Sequence, residues 1–176
     1  GGMIGPMTAV EAVSAAARAI GTGEMQLALA GGVESMSRAP LVMGKATGAF
    51  DRDQQLMDTT MGWRFVNPAL DAAYGTETMP RTAENVASAY QISRADQDEF
   101  ALRSQQRAAA ARSNGFHDGE ILPVAVPGKV RGETDLMSLD EHPRPTTSLE
   151  TLSRLKPLFG AEGTVTAGNA SGINDG

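Results

Sequence analysis

The 176 residues are 41% hydrophobic and carry a formal net charge of −6. That length allows one domain, or one with a small lobe, and the apolar fraction can furnish a core. The negative balance argues against nucleic acid as the main partner, because phosphate recognition needs a basic face, while a local basic groove for an anionic cofactor stays open. Gly1-Gly2 read as added residues ahead of a natural start at Met3. Met7, Val10, Val13, Ala17 and Ile20 recur at helical spacing and predict a helix stopped by Thr22-Gly23. "MQLALAGG" (residues 25–32) is a short apolar run ended by a glycine pair; it predicts a buried strand, parallel because it follows a helix. Residues 33–70 have weak periodicity and read as an extended excursion with a short helix near residues 54–61, broken at Gly62. A long irregular stretch of this kind usually serves a function or an interface.

Pro80 opens a helix running through Tyr90. Ser93 to Asp96 form a capping box with Asp in place of Glu, ahead of a helix with acids early and bases late, which suits the helix dipole. Asn114-Gly115 end it, and the short link between the two helices predicts an αα-hairpin. "EILPVAVPGK" (residues 120–129) is strand-like, and Pro123 and Pro127 favour a sheet edge. Residues 132–148 read as a polar connection, and residues 149–159 as a short amphipathic helix stopped near Pro157. Residues 164–167 predict a strand of β-formers, Gly168 to Gly172 a tight turn, and Asn174-Asp175-Gly176 the start of a helix. One helix and one parallel strand cannot close a core. The residues alone therefore describe an α/β protein with a helical insertion, a chain expected to begin and end inside a larger unit.

Chemistry is sparse on this reading. Cysteine is absent, which removes disulfides, thiolate metal ligands and any thiol nucleophile. Two histidines, His117 and His142, are too few for a histidine metal site, and each reads as a solvated loop residue. Asp135, Asp140 and Glu141 read as an ordinary acidic loop, and Met36, Met43, Met57, Met61 and Met79 as flexible core filler. Asn169-Ala170-Ser171 matches a glycosylation acceptor, but the N-terminal residues show no charged n-region or long apolar h-region of a secretory signal, so the match carries little weight. No run of about 18 apolar residues exists, so no membrane span is expected. No catalytic constellation can be assembled from the residues themselves.

Four ordered segments change the picture. "AVSAAARAI", "LALAGGVESMSRAP", "MPRTAENVASAYQISRADQDEFALRSQQRAAAA" and "GTVTAGNASGINDG" together resemble the thiolase family over about residues 7–176. "APLVMGKATGAF" and "DTTMGWRFVNP" look most like the branch acting on 3-oxoadipyl-CoA (beta-ketoadipyl-CoA). The resemblance implies a partial thiolase-like α/β fold. Residues 1–32 would be part of the N-terminal α/β half, residues 33–160 the family's inserted loop domain, and residues 161–176 the return into the first half. It implies a cytoplasmic homo-oligomer, with no nucleic-acid or membrane partner, no metal and no cofactor beyond coenzyme A as substrate or ligand.

The family's chemistry uses a nucleophilic cysteine at a helix N-terminus, a second cysteine as acid/base, and a His and an Asn that polarise the thioester oxygen. Aligned through "MTAV", the nucleophile position falls on Met3, whose thioether has no ionisable proton. The resemblance thus implies an acyltransferase segment that is inactive alone, or, as the alternative, a CoA-binding or oligomerisation module. It carries CoA contacts onto Arg144 at the adenine-nucleotide end, onto Leu70, Met79, Leu155 and Phe159 along the pantetheine channel, and onto Ala167 and Ser171 at the pantetheine amides. Where many family members have His before the methionine, this chain has Thr78, which alters one contact near the substrate.

Overall fold

The structure, a computed structural model, describes residues 8–33 and 35–175. They fall into two compact units, one from the residues up to Thr76 with the stretch from Ile173, the other Glu77–Gly172. Helix α1 (Thr8–Gly21) opens the first unit where the apolar spacing put it. The predicted strand over residues 25–32 does not form: the segment is irregular and pairs with no strand among the described residues, and Leu27 and Leu29 stand in solvent. A strand is defined by its ladder, and without a neighbour the same β-forming run stays irregular.

The expected short helix at residues 54–61 is also replaced. Strand β1 (Leu41–Met43) pairs antiparallel with β2 (Leu56–Asp58), Val42 opposite Met57. Those two side chains are half-buried while their neighbours along each strand are exposed, the alternation a one-sided hairpin demands. Cross-strand pairing overrode the local helical tendency. The Thr59 hydroxyl donates to the Pro40 carbonyl at 2.5 Å, and the Arg64 guanidinium donates to the carbonyls of Thr59 and Gly62, closing the hairpin's open end. Helix α2 (Pro68–Tyr74) follows, capped by Asn67, whose side chain accepts the Ala69 N–H at 2.9 Å. The Asp175 carboxylate takes both the N–H and the hydroxyl of Ser37, at 2.8 and 2.5 Å, tying the C-terminal stretch to the 3₁₀ turn Met36–Arg38. Residues 173–175 are irregular, and the expected helix start at Asn174 runs into Gly176, which lies outside the described residues.

The second unit holds α3 (Met79–Ala89), α4 (Arg94–Ser113), the antiparallel hairpin β3 (Val124–Pro127) with β4 (Thr134–Met137), and α5 (Leu149–Ser153). The capping box at Ser93 is present: its hydroxyl accepts the Asp96 N–H and the Asp96 carboxylate accepts the Ser93 N–H. Helix α4 takes α5 as its helical neighbour, so α3 and α4 do not pack as the expected αα-hairpin. Helix α5 is five residues long instead of running to Phe159. Pro157 disfavours helical geometry at Lys156, and Arg94 of α4 captures the carbonyls of Leu152 and Leu155, at 2.5 and 3.2 Å, which further turns of helix would have used.

Residues 164–167 are not a strand either, although Val165 and Thr166 are the most buried residues of the unit. Their N–H groups are satisfied by side chains, as described below, so no ladder is needed. The apolar core around them is small: Ala87, Leu152 and Val165 among the described residues. Gly168 is part of its fit, because a β-carbon there would stand 2.5 Å from both Leu152 Cδ2 and Leu155 Cδ1. Gly168→Ala is therefore expected to destabilise the second unit by about 1–3 kcal/mol through overpacking. Leu152→Ala should cost about 2–5 kcal/mol through the cavity it leaves. Thermal unfolding followed by circular dichroism checks both; a Gly168→Ala melting temperature equal to wild type contradicts the packing described.

Candidate functional site

The chemistry-bearing part of the second unit is the segment from Thr164 to Ser171. Two acids from different helices hold it. Glu84, on α3, accepts the N–H groups of Thr164 and Val165 on one oxygen, at 2.7 and 2.8 Å, and the Thr164 hydroxyl on the other, at 2.8 Å. Burial pushes the Glu84 carboxyl up, but the bonds from Val165 and Thr164, with the charge of Arg81, outweigh it and hold the group below its ordinary value. Asp98, on α4, is 4% exposed. One of its oxygens accepts Arg94 Nε–H at 2.8 Å, and the other accepts the Asn169 carboxamide N–H at 3.0 Å.

Asn169 then distributes the remaining bonds. Its Nδ2 also donates to the Thr164 carbonyl at 3.0 Å, and its Oδ1 accepts the Thr166 N–H at 2.7 Å. The Thr166 hydroxyl accepts the Gly168 N–H at 3.2 Å, and the Val165 carbonyl accepts the Leu158 N–H at 2.9 Å. No buried side-chain nitrogen or oxygen among the described residues lacks a partner. The segment is thus held by side-chain acceptors in the manner of a helix cap, not by a sheet.

The turn so held forms one wall of a groove of about 380 Å³. Gly168 to Ser171 face Phe100, Ala101, Ser104, Gln105 and Ala108, a stripe at helical spacing on α4, and His142-Pro143 close one end. The imidazole of His142 lies against Gly172, where any β-carbon would collide with the ring at 2.2 Å. His142 is thus an exposed loop residue, as the sequence suggests, that also lines the groove. Nothing in residue type or spacing marks it, since its partner is 30 positions along the chain.

The expected CoA contacts are distributed unevenly. Ser171 lines the groove. Arg144 is exposed beside it, its backbone N–H donating to Gln105 Oε1 at 2.7 Å. Ala167 is exposed at the start of the turn, and Leu155 packs on Gly168 at its foot. Phe159 is half-buried under the Arg81 guanidinium, 3.9 Å from the ring centroid, a cation–π contact. Met79, 80% exposed, begins α3. Leu70 belongs to the first unit, on α2. Met3, the aligned nucleophile position, lies outside the described residues. Sequence reasoning passed over Glu84, Asp98 and Asn169. Only the Arg94–Asp98 spacing of four residues signals a same-face pair. No cluster of metal-ligating side chains and no helix long and apolar enough to cross a membrane occur among the described residues.

This mixed helix-and-strand arrangement is part of the thiolase fold. It superposes on human mitochondrial 3-ketoacyl-CoA thiolase with a TM-score of 0.77 at 34% identity, covering 96% of this chain and 41% of that one. Acetyl-CoA acetyltransferase of Bacillus anthracis gives 0.78 at 36% identity, covering 95% and 41%. The family model described as the thiolase N-terminal domain matches residues 7–176, and the chain belongs to the thiolase family. It is 62% identical over 167 residues to beta-ketoadipyl-CoA thiolase of Pseudomonas aeruginosa, and 57% identical over 167 residues to 3-oxoadipyl-CoA/3-oxo-5,6-dehydrosuberyl-CoA thiolase of Escherichia coli K12. Each match covers 95% of this chain and 41% of the relative, so the chain spans about two fifths of the length of these curated relatives.

The lowered Glu84 carboxyl fixes a pH dependence. A depressed folded-state value contributes stability that is complete above the ordinary value of about 4.5 and is lost as acidification carries the pH through the lowered one. The amides of Thr164 and Val165 should therefore lose exchange protection below that point. Glu84→Gln should show reduced protection at neutral pH and a flatter acid limb. Equal acid dependence in wild type and variant would remove Glu84 from this role.

Proposed function

We propose that the chain is the CoA-contacting part of a thiolase-type acyl-CoA C-acyltransferase, in which 3-oxoacyl-CoA and CoA give acyl-CoA and acetyl-CoA, with 3-oxoadipyl-CoA as the 3-oxoacyl substrate. The 62% identity over 95% of the chain to a relative named for that substrate carries the reading. The chain's own contribution is a wall. Ser171 and the backbone of Ala167 offer polar groups to the amides of the pantetheine arm, Leu155, Phe159 and Met79 offer apolar surface, and Arg144 offers a cation to the nucleotide phosphates; Leu70, in the first unit, is carried over by the resemblance alone.

The reaction breaks the bond between the substrate's α-carbon and its 3-oxo carbon. The acyl carbon passes to a thiolate, and the departing acetyl-CoA carbanion takes up a proton. Both steps use cysteine in this family. With no cysteine among its 176 residues, this chain supplies neither thiolate nor thiol acid. Purified chain is expected to show no thiolysis of a 3-oxoacyl-CoA; turnover that survives repurification would refute the reading of an inactive segment.

CoA binding to the chain alone should be weak. A mobile ligand keeps its ordering cost while losing the contacts that other parts of a full-length enzyme would make. A dissociation constant between about 0.1 and 1 mM follows, roughly −4.1 to −5.5 kcal/mol. The phosphate contact is exposed and so weakens with salt. Arg144→Ala should remove most of the affinity and His117→Ala none. Calorimetry finding submicromolar binding, or indifference to Arg144→Ala, would place the ligand elsewhere. Exposed apolar side chains such as Val13, Leu27, Leu29, Trp63 and Phe65 favour association with a second copy. Light scattering should report species larger than a monomer.

A further inference from the structure

Asp98 is a buried acid that the reaction does not use, and it connects two things that are otherwise independent. Through one oxygen it holds Arg94, which caps α5 at the carbonyls of Leu152 and Leu155. Through the other it holds the carboxamide of Asn169, whose own acceptor fixes the Thr166 N–H. A carboxamide has two orientations of nearly the same shape, in which its two ends exchange donor for acceptor, and its hydrogen-bond partners decide between them. The Thr166 N–H demands an acceptor and the Thr164 carbonyl demands a donor, but both belong to the same short segment and could move with the side chain. The Asp98 carboxylate is different. It is anchored on a 20-residue helix, it can only accept, and its charge is held in place by Arg94. It therefore sets which way Asn169 points, and with it the path of the backbone from Gly168 to Ser171.

We propose that Asp98 is a positioning residue for the groove: its carboxylate, anchored by Arg94, orients Asn169 and thereby presents the Gly168–Ser171 turn as a preorganised wall for the pantetheine arm. The ligand named here rests on the function proposed above; the positioning itself does not. Asp98 touches no ligand in this role. It acts on affinity by removing the cost of ordering the turn when the ligand arrives.

The test uses the 176-residue chain with CoA as the probe, and reads amide exchange protection in the free chain alongside the dissociation constant. Asp98→Asn places an N–H donor against either Asn169 or Arg94 at nearly constant volume. Protection at Thr166 and Gly168 should fall about tenfold, the equivalent of one charge-assisted hydrogen bond. CoA should bind about tenfold more weakly, while protection at Val165, which Glu84 holds, stays near wild type. Asn169→Ala breaks the same tie with the Arg94–Asp98 pair intact; because it also removes the acceptor of the Thr166 N–H, protection at Gly168 and the CoA affinity carry the test if Asp98→Asn does not fold, and both are expected to fall about tenfold. A uniform fall in protection across the unit in Asn169→Ala, or unchanged protection at Gly168 in either folded variant, overturns the proposal. If wild-type chain binds no CoA, the assignment of the ligand fails, and the exchange pattern alone still decides whether Asp98 positions the turn.

Discussion

A carboxylate with almost no contact with water organises the second unit. Moving such a charge out of solvent costs several kcal/mol, and an ion pair together with further hydrogen bonds is the arrangement that offsets it. Asp98 has both: Arg94 on one oxygen and Asn169 on the other. A pair of this kind adds little net stability compared with apolar residues of the same size. Its effect is on geometry. Two carbonyls at the end of α5, one carboxamide and one turn all take their positions from it, and a slip in any of them would leave a buried group unpaired.

Glu84 works alongside it from α3. Where Asp98 fixes the far side of the turn through Asn169, Glu84 fixes the near side by taking the N–H groups of Thr164 and Val165 directly. The segment between them carries the most buried residues of the unit without belonging to a sheet. That arrangement suits a binding wall. A ladder would commit the backbone on both edges, whereas side-chain acceptors satisfy it from behind and leave the turn from Gly168 to Ser171 open toward the groove.

What could be read from the sequence was what is local. The helix from Thr8, the helix begun at Met79 and the capped helix from Ser93 each announce themselves by spacing, a proline near the first turn or a capping pair, and each formed. The strands over residues 25–32 and 164–167 did not form, because a strand needs a neighbour that composition cannot supply, and because Glu84 and Asn169 took the backbone groups a ladder would have used. The hairpin of residues 41–43 with 56–58 was missed for the converse reason, its two short strands being visible only as a pair. The hairpin partner of Val124–Pro127 lay in residues read as a polar connection, since all four residues from Thr134 to Met137 face solvent. In the site, Ser171 was legible through resemblance over a long ordered motif. The residues that hold its turn were not, because Asp98 and Asn169 are 71 positions apart and neither type stands out in its own segment.

The account stands on one claim, that the side-chain-held turn is where this thiolase-family chain meets CoA. Mapping amide shift changes during a titration with millimolar CoA addresses it most directly. The account predicts the largest changes at Ala167 to Ser171 and around Arg144, with the hairpin of Val124–Pro127 and Thr134–Met137 silent. Changes confined to the first unit, or none at any concentration up to several millimolar, would contradict it.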